Sequence, residues 1–285
     1  MSTVQQQDTR GAGHAAGGLL VEPEWLVEHL NDPSVRIVEV DVSPASYSAG
    51  HIEGAVLWNV YTDLKDANYE FVGSAAYELI VRRSGISDDS TVVFYGYAPA
   101  IGVWLMTQFG HRDARILNCS RTTWQGLKLP LTDAVTESQT TEYRLARADS
   151  RVRATLESVR AAIGDGNSQI IDVRSEAEYR GERFWPSGGS EPGGRPGHVP
   201  SAQHVPIDDL LDERGAYREP AALREVFALV DHSSDGPVIT YCTVGGRAAT
   251  AWFVLSHLLG RRNVRVFDGS WAQWGRTPSV PVECP

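Results

Sequence analysis

Apolar and polar positions follow the same order twice along this chain. In each half the pattern predicts a short helix, a strand of apolar and β-branched residues, a loop containing a Gly-His pair, and a second apolar strand that ends in tyrosine. The paired elements are helices at 23–30 and 154–163, and strands at 35–42 and 169–173, 91–95 and 237–241, and 114–117 and 264–267. The histidine precedes the tyrosine by 44 residues in the first half and by 43 in the second. This agreement indicates an internal duplication.

Strands that alternate with helices at this spacing predict a fold of the α/β class. Each half is expected to form a mostly parallel sheet flanked by helices. A length of 285 residues agrees with two domains rather than one. The sequence therefore divides into a disordered tail at residues 1–18, a first domain at 19–130, a polar linker at 131–153 and a second domain at 154–285.

The charge of the chain narrows the classes of partner. With 26 basic and 36 acidic residues, the formal net charge is −10. This balance argues against general binding to nucleic acid or to anionic membranes, because both need a basic surface. We find neither a signal-peptide pattern nor a membrane-span pattern in the sequence, so we expect a cytoplasmic protein. We also expect a monomer. An anionic substrate would have to meet a local positive site.

Three cysteines are too few for a disulfide framework in a chain of this length, and they do not cluster with histidines as a structural metal site would require. We therefore expect reduced thiols and no metal. Cys119 lies just after a predicted strand and is expected to pack, whereas Cys284 lies near the end of the chain and is expected to be incidental. Cys242 follows a buried strand and is the candidate for chemistry.

The two halves differ directly after the tyrosine-terminated strand, where an open α/β sheet places its ligand site. Nineteen residues separate Tyr241 from Gly260, which ends the next predicted helix, against 15 at the corresponding place in the first half. We expect these additional residues, about four, to fall in the segment from Cys242 to Arg247. The first half has Gly96-Tyr-Ala-Pro at this point and lacks the thiol.

The segment after Tyr241 has the composition of a loop that holds an anionic nucleophile. Gly245 and Gly246 allow consecutive backbone N–H groups to turn inward, and such a nest binds negative charge. A helix is predicted to open at about Arg247, so both its N-terminus and the guanidinium favour a thiolate at Cys242. The candidate loop consists of Cys242, Thr243, Val244, Gly245, Gly246 and Arg247.

Beyond this loop, the chain resembles a tandem-domain rhodanese, the family of thiosulfate and 3-mercaptopyruvate sulfurtransferases. The resemblance covers about residues 19–283. It rests on Tyr47-x3-His51-Ile-Glu53-Gly-Ala55, on Asp172-Val-Arg174 followed by Gly197-His198-Val-Pro200, on the six-residue loop opened by Cys242, and on Val264-x2-Phe267-Asp-Gly-Ser-Trp271-x-Gln273-Trp274. In this family the first domain is usually catalytically silent and the second carries the cysteine.

The resemblance implies a ping-pong reaction without a metal or an organic cofactor. Cys242 would take the outer sulfur of a small anionic donor as a persulfide, and cyanide, a thiol or an acceptor protein would remove it. Members that prefer 3-mercaptopyruvate typically have serine at the third loop position, where this chain has Val244. Members that prefer thiosulfate usually have a basic residue after the cysteine, where this chain has Thr243. The charge of Arg247 favours thiosulfate.

Four further residues are candidates on the basis of the resemblance. Arg183 and Arg195 lie in a Gly- and Pro-rich segment in which the family has donor-binding arginines, although both could equally be solvated loop charges. Asp172 is expected to support the catalytic loop from a strand end, and Trp271 to pack near the pocket or in the core. His51 could face the active loop, but a histidine in a Gly-His turn more often satisfies backbone groups.

Two other functions remain open from the sequence. Cys-dependent phosphatases and arsenate reductases on the same fold use Cys-x5-Arg, whereas this chain has Cys-x4-Arg, a shorter loop that suits a sulfur atom better than a tetrahedral oxyanion. A non-catalytic binding or regulatory module is the second alternative, and the intact cysteine loop argues against it.

Overall fold

The structure, a computed structural model, describes residues 18–284 and contains two α/β units in sequence. The first unit comprises β1 (Leu20–Val21), α1 (Pro23–Glu28), β2 (Val35–Asp41), α2 (Ala45–Ala49), β3 (Ala55–Asn59), α3 (Ser74–Arg83), β4 (Thr91–Gly96), α4 (Pro99–Gln108), β5 (Ala114–Leu117) and α5 (Arg121–Gly126). The second comprises β6 (Arg153–Ala154), α6 (Leu156–Ala162), β7 (Gln169–Asp172), α7 (Glu176–Tyr179), β8 (Gln203–His204), α8 (Pro220–Val226), β9 (Val238–Tyr241), α9 (Gly246–Phe253), β10 (Val264–Phe267) and α10 (Ser270–Trp274).

Each unit is built on a five-stranded sheet, and the two sheets have the same topology. The strand orders are β1-β5-β4-β2-β3 and β6-β10-β9-β7-β8, and all neighbouring strands are parallel. The register is also repeated, since Glu39 pairs with Tyr95 in the first sheet and Asp172 with Tyr241 in the second. The predicted duplicated α/β fold is confirmed.

A shared hydrophobic cluster joins the two units. The helix α4 is apolar around its whole circumference and is buried along most of its length, as such a helix must be in water. It packs against α9 of the second unit, and one continuous cluster of buried side chains extends through both. Val42, Tyr61 and Tyr97 of the first unit line one cavity together with the loop that follows β9, so the carboxyl ends of the two sheets border a common cleft.

The structure corrects the predicted helix at 154–163. Ala154 belongs to the edge strand β6, and the helix begins at Leu156 because the Thr155 hydroxyl accepts a hydrogen bond from the Ser158 N–H at 3.2 Å. The edge strands β1 and β6 are two residues each, which is too short to produce a periodic pattern.

The position of the additional residues in the second half is also corrected. In the first unit, three residues (96–98) lie between Tyr95 and the start of α4, and the first of them is the last residue of β4. In the second unit, four residues (242–245) lie between Tyr241 and the start of α9. The loop is therefore longer by one residue rather than four. Most of the difference lies in the helix, because α9 continues as a π-helical segment over Val254–Leu258. A π-helical insertion lengthens a helix without changing the loop that precedes it.

The predicted tail at residues 1–18 lies outside the described residues except for Gly18. Within the predicted linker, residues 133–149 contain no helix or strand. This segment follows the surface of the first unit, where the Thr141 N–H donates to Arg82 O at 3.1 Å and the Asp149 N–H to Gln108 O at 2.7 Å. Among the helices at residues 18–284, we find none long and apolar enough to cross a membrane.

Candidate active site

Cys242 is the first residue after β9, at the carboxyl edge of the second sheet. Its side chain is almost fully buried, and the Gly245 N–H donates to its sulfur at an N···Sγ distance of 3.1 Å. Gly245 has φ of 93°, a left-handed conformation that residues with a Cβ rarely adopt. The helix α9 begins at Gly246, so the positive end of its dipole faces the same sulfur. The loop thus directs the Gly245 N–H and a helix N-terminus at one thiol.

The backbone of the cysteine loop is held by the segment between β10 and α10. The Cys242 N–H donates to the Ser270 hydroxyl at 3.1 Å, and that hydroxyl donates in turn to Phe267 O at 2.7 Å. In the reverse direction, the Trp271 N–H donates to Cys242 O at 2.9 Å. Four hydrogen-bonding groups are therefore satisfied between two buried segments, which fixes the position of Cys242.

A buried carboxylate that the sequence did not indicate as functional organises the other side of the loop. Glu178 lies in α7 with its side chain fully buried, and it accepts hydrogen bonds from Arg247 Nη1 at 2.9 Å, from Arg247 Nη2 at 2.7 Å and from Thr243 Oγ1 at 2.6 Å. Burial alone would raise the pKa of Glu178, but the hydrogen bonds and charge of Arg247 lower it to about 2. The same pairing raises the pKa of Arg247, despite the opposing effect of burial.

The sulfur faces a cavity of about 200 Å³. Both units contribute to its walls: the first provides Val42, Tyr61 and Tyr97, and the second provides Trp185, Pro186 and Ser187 together with residues of the cysteine loop. Three of these side chains are aromatic, so the cavity combines an apolar wall with a polar floor. Tyr61 and Tyr97 are 41% and 65% exposed and therefore stand at the entrance.

Asp172 and Trp271 lie beneath the loop, in a buried network. Asp172 accepts two hydrogen bonds from the Arg174 side-chain Nε and one from Nη2, and also one from the Tyr241 hydroxyl at 2.5 Å. The Arg174 guanidinium lies 4.5 Å from the ring centroid of Trp271. None of these side chains lines the cavity. Their contacts place them outside the cavity, where they hold the end of the strand that precedes Cys242.

Arg195 was expected to bind the donor, and the structure places it away from the cavity. Its Nη1 donates to Val280 O at 2.8 Å, its Nη2 to Thr277 O at 2.6 Å, and longer contacts reach Gly275 O and Trp274 O at 3.4 Å. Because main-chain carbonyls occupy the guanidinium, Arg195 fastens the C-terminal segment to the second unit. This arrangement speaks against the expected donor contact.

Arg183 is connected through one side chain to Glu178, which holds the cysteine loop. Its Nη2 donates to the Ser175 hydroxyl at 3.0 Å, and that hydroxyl donates to Glu178 at 2.8 Å. The Arg183 Nε is buried and has no hydrogen-bond partner among the described residues. Arg183 does not line the cavity in this conformation. Within the described part of the chain, its Nε–H is therefore an unpaired donor, next to the hydrogen bonds that join Ser175 to Glu178.

The histidines of the two Gly-His turns have equivalent local contacts. His51 Nδ1 donates to Tyr47 O at 2.9 Å and its ring stacks on that tyrosine, while His198 Nδ1 donates to Tyr179 O at 3.0 Å and stacks on Tyr179. These contacts satisfy backbone groups. They place His51 in the turn and not among the residues that line the Cys242 cavity.

The other two cysteines differ from Cys242 in their surroundings. Cys119 is half-buried, and burial raises the pKa of its thiol to about 11. Cys284 is exposed, and its thiol lies 3.4 Å from Pro196 O. Neither lines the cavity that contains Cys242.

Comparison with known proteins identifies the family. Two segments of the chain, residues 22–127 and 155–277, match the rhodanese-like domain. The chain belongs to the rhodanese family. This rhodanese-family protein contains the domain twice, and its two matches coincide with the two α/β units.

Proteins similar to this rhodanese-family chain are named for sulfur transfer. The "Putative thiosulfate sulfurtransferase SseA" of Mycobacterium tuberculosis is 37% identical over 270 residues, which cover 92% of this chain and 90% of the relative. The "Sulfur carrier protein TtuD" of Thermus thermophilus is 34% identical over 279 residues, which cover 95% and 98%. The crystal structure of SseA from Escherichia coli, described as a 3-mercaptopyruvate sulfotransferase, matches with a TM-score of 0.76 and 25% identity over 89% of this chain and 98% of that one.

Proposed function

We propose that this protein is a sulfurtransferase that uses a Cys242 persulfide as its covalent intermediate. The Cys242 thiolate attacks the outer sulfur of thiosulfate, the S–S bond of the donor breaks, and sulfite leaves with the electron pair. Cyanide or a thiolate then attacks the terminal sulfur of the persulfide. With cyanide the product is thiocyanate, and Cys242 returns to its thiolate form.

The observation that carries this proposal is the position of Cys242 Sγ. The sulfur lies at a cavity, accepts the Gly245 N–H at 3.1 Å and faces the start of α9. A persulfide places its negative charge one atom further into that cavity, where the loop N–H groups and the helix dipole can stabilise it as an oxyanion hole stabilises an oxygen. The names of the relatives, which refer to sulfurtransferases and a sulfur carrier, support the same chemistry.

The first unit is proposed to be catalytically silent. Gly96 follows Tyr95 at the place where Cys242 follows Tyr241, and the two tyrosines have the same register in their sheets. The thiol is therefore missing from the first unit. Its contribution to the site consists of cavity walls at Val42, Tyr61 and Tyr97.

Thiosulfate is proposed as the better of the two donors. Val244 lines the cavity with an apolar side chain at the position where a serine would be needed to relay a proton to a keto acid. Arg247 also lines the cavity, but it shares its charge with Glu178, so the preference for a dianion is expected to be modest. Both donors are small anions.

We also propose that the enzyme is a monomer and that it acts in the reducing environment of the cytoplasm.

Thiocyanate formation from cyanide tests the proposal. The wild type is expected to turn over with thiosulfate and, with a lower kcat/KM, with 3-mercaptopyruvate. Cys242→Ser should abolish turnover with both donors, whereas Cys119→Ser, a matched change at the second strand-end cysteine, should retain it. Loss of activity in neither variant, or in both, would contradict the assignment of Cys242.

The same pair of variants separates this function from the phosphatase or arsenate reductase alternative. In this structure Arg247 is engaged by Glu178, which reduces the charge that a tetrahedral oxyanion would need. We therefore expect no hydrolysis of a chromogenic phosphate ester. Hydrolysis that disappears in Cys242→Ser would favour the alternative instead. A protein that forms no thiocyanate, accepts no sulfur and hydrolyses no ester would be a binding module.

A further inference from the structure

A lysine from the catalytically silent unit lies against the cysteine loop. Lys65 is 7% exposed, and its Nζ donates to Asp268 O in the second unit at 2.8 Å. A Cβ placed on Gly245 would lie 3.3 Å from the same Nζ and 2.9 Å from Asp268 O. Gly245 is the residue whose N–H donates to the Cys242 sulfur. The ammonium group therefore lies next to Gly245 without lining the cavity.

A short turn of the first unit places Lys65 there. Lys65 and Phe71 form an antiparallel bridge that closes this turn, and the Lys65 ammonium lies 3.5 Å from the Phe71 ring centroid. The Phe71 N–H donates to Asp268 Oδ2 at 2.7 Å. The turn is thus anchored to the residue that immediately precedes Gly269 and Ser270, the start of the segment that holds the Cys242 backbone.

Two cations, Lys65 and Arg153, approach Asp268, and among the described residues Lys65 forms no direct hydrogen bond with a carboxylate. Arg153 binds the Asp268 carboxylate through two hydrogen bonds, at 2.9 and 3.0 Å, whereas Lys65 binds only the main-chain oxygen of that residue. The remaining acids near this cluster are more peripheral: Glu70 lies 3.8 Å from Arg153, and Asp66 follows Lys65 in the turn. A thiolate at Cys242 would therefore lie near an ammonium that forms its hydrogen bond with a main-chain oxygen rather than with a carboxylate.

The choice of lysine at this position is itself unusual for the chain. The sequence contains two lysines and 24 arginines. The other lysine, Lys128, is exposed. Burial lowers the pKa of Lys65 to about 8, while the charges of Asp268 and Cys242 oppose that decrease. An ammonium with such a pKa is charged at pH 7 and loses its charge in mildly alkaline solution, which an arginine would not do.

We propose that Lys65 is a positioning residue that favours the thiolate and persulfide forms of Cys242, so that the silent unit supplies part of the positive charge at the active site. This inference rests on the proposed role of Cys242 as a nucleophile. Lys65 does not line the cavity and therefore acts through the loop rather than by contact with the donor. It acts together with the α9 N-terminus, and it links docking of the two units to reactivity of the thiol.

The pH dependence of Cys242 alkylation tests the charge directly. Iodoacetamide is neutral, so its rate reports the thiolate without involving donor binding, and peptide mapping separates Cys242 from the other thiols. Lys65→Gln keeps a donor for Asp268 O and removes the charge. Its alkylation at pH 7 is expected to be roughly tenfold slower than that of the wild type, and the difference should narrow above about pH 8, where the wild-type Lys65 loses its own charge.

Three comparisons make the result specific. Lys65→Arg keeps the charge and should react nearly as the wild type does at pH 7, and Lys128→Met should match the wild type throughout. Lys65→Met provides a second uncharged variant if Lys65→Gln folds poorly. Profiles of the uncharged variants that coincide with the wild type, or an equal shift in Lys65→Arg, would overturn the inference in favour of packing alone. Because alkylation does not require sulfur transfer, failure of the proposed function would appear separately, as absence of thiocyanate in the wild type.

Discussion

Glu178 gives the sharpest prediction about how the cysteine loop is stabilised. The carboxylate is fully buried and accepts hydrogen bonds from Arg247, Thr243 and Ser175. Glu178→Gln keeps the shape of the side chain and removes its charge. The positive charge of Arg247 then loses its partner, and removing one member of a buried ion pair strongly destabilises the folded state.

The magnitude follows from the pKa of Glu178. A decrease from the ordinary value of 4.5 to about 2 corresponds to roughly 3 kcal/mol of stability at neutral pH. Because the pKa is lower in the folded state, this stabilisation is complete above about pH 4.5 and is lost as the pH falls towards 2. The difference in unfolding free energy between wild type and Glu178→Gln should therefore be large at pH 7 and shrink below pH 4.

Urea unfolding at a series of pH values measures this difference. Glu176→Gln is the matched control, because Glu176 lies in the same helix and pairs with Arg180 at 2.6 Å, but its side chain is 66% exposed. An exposed pair contributes little, so the control should lose less than about 0.5 kcal/mol. The reasoning would be refuted if Glu178→Gln lost no more than the control, or if its loss did not depend on pH.

Two further predictions concern the residues around the site. Arg195→Ala should destabilise the protein by roughly 2 kcal/mol, because it removes hydrogen bonds to carbonyls of the C-terminal segment. The kcat/KM for thiosulfate should be nearly unchanged. A large increase in KM with unchanged stability would restore the expected role of Arg195 in donor binding. Because burial raises the pKa of Cys119 to about 11, about one molecule in a thousand should carry a Cys119 thiolate at pH 8, and the thiol should resist iodoacetamide. Rapid labelling at that pH, assigned to Cys119 by peptide mapping, would contradict the buried environment.

The position of the cysteine loop could be predicted because its residues are consecutive in sequence. Cys242, the following glycines and Arg247 occupy consecutive positions after an apolar strand, and strand ends at one sheet edge are where such folds bind ligands. The duplication was equally visible, because matching patterns recur at matching spacing. The fold followed from the duplication, and the family resemblance followed from the loop together with motifs in both halves.

The contacts that tune the loop could not be predicted in the same way. Lys65 and Asp268 are 203 positions apart in the sequence, and Glu178 and Arg247 are 69 apart. The sequence pattern Ser175-x-x-Glu178 signals a helix start, but it does not reveal that the same carboxylate also binds Arg247. Arg195 and Arg183 share one Gly- and Pro-rich segment, and only the folded path of that segment separates their surroundings.

The length difference between the two halves shows a second limit. Counting residues from the tyrosine to the next glycine gave the total correctly, but it could not say where in the segment they lie. The structure places most of them in the π-helical continuation of α9, and the loop itself gains one residue. A residue count fixes the length of a segment and leaves open how helix and loop share it.

Mass spectrometry after treatment with thiosulfate alone tests the central claim most directly. The reduced protein, freed of excess donor, should gain the mass of one sulfur atom, and peptide mapping should place that atom on Cys242. Addition of cyanide should remove it and release one equivalent of thiocyanate. A sulfur found on Cys119 or Cys284 instead, or no gain with either thiosulfate or 3-mercaptopyruvate, would contradict the account.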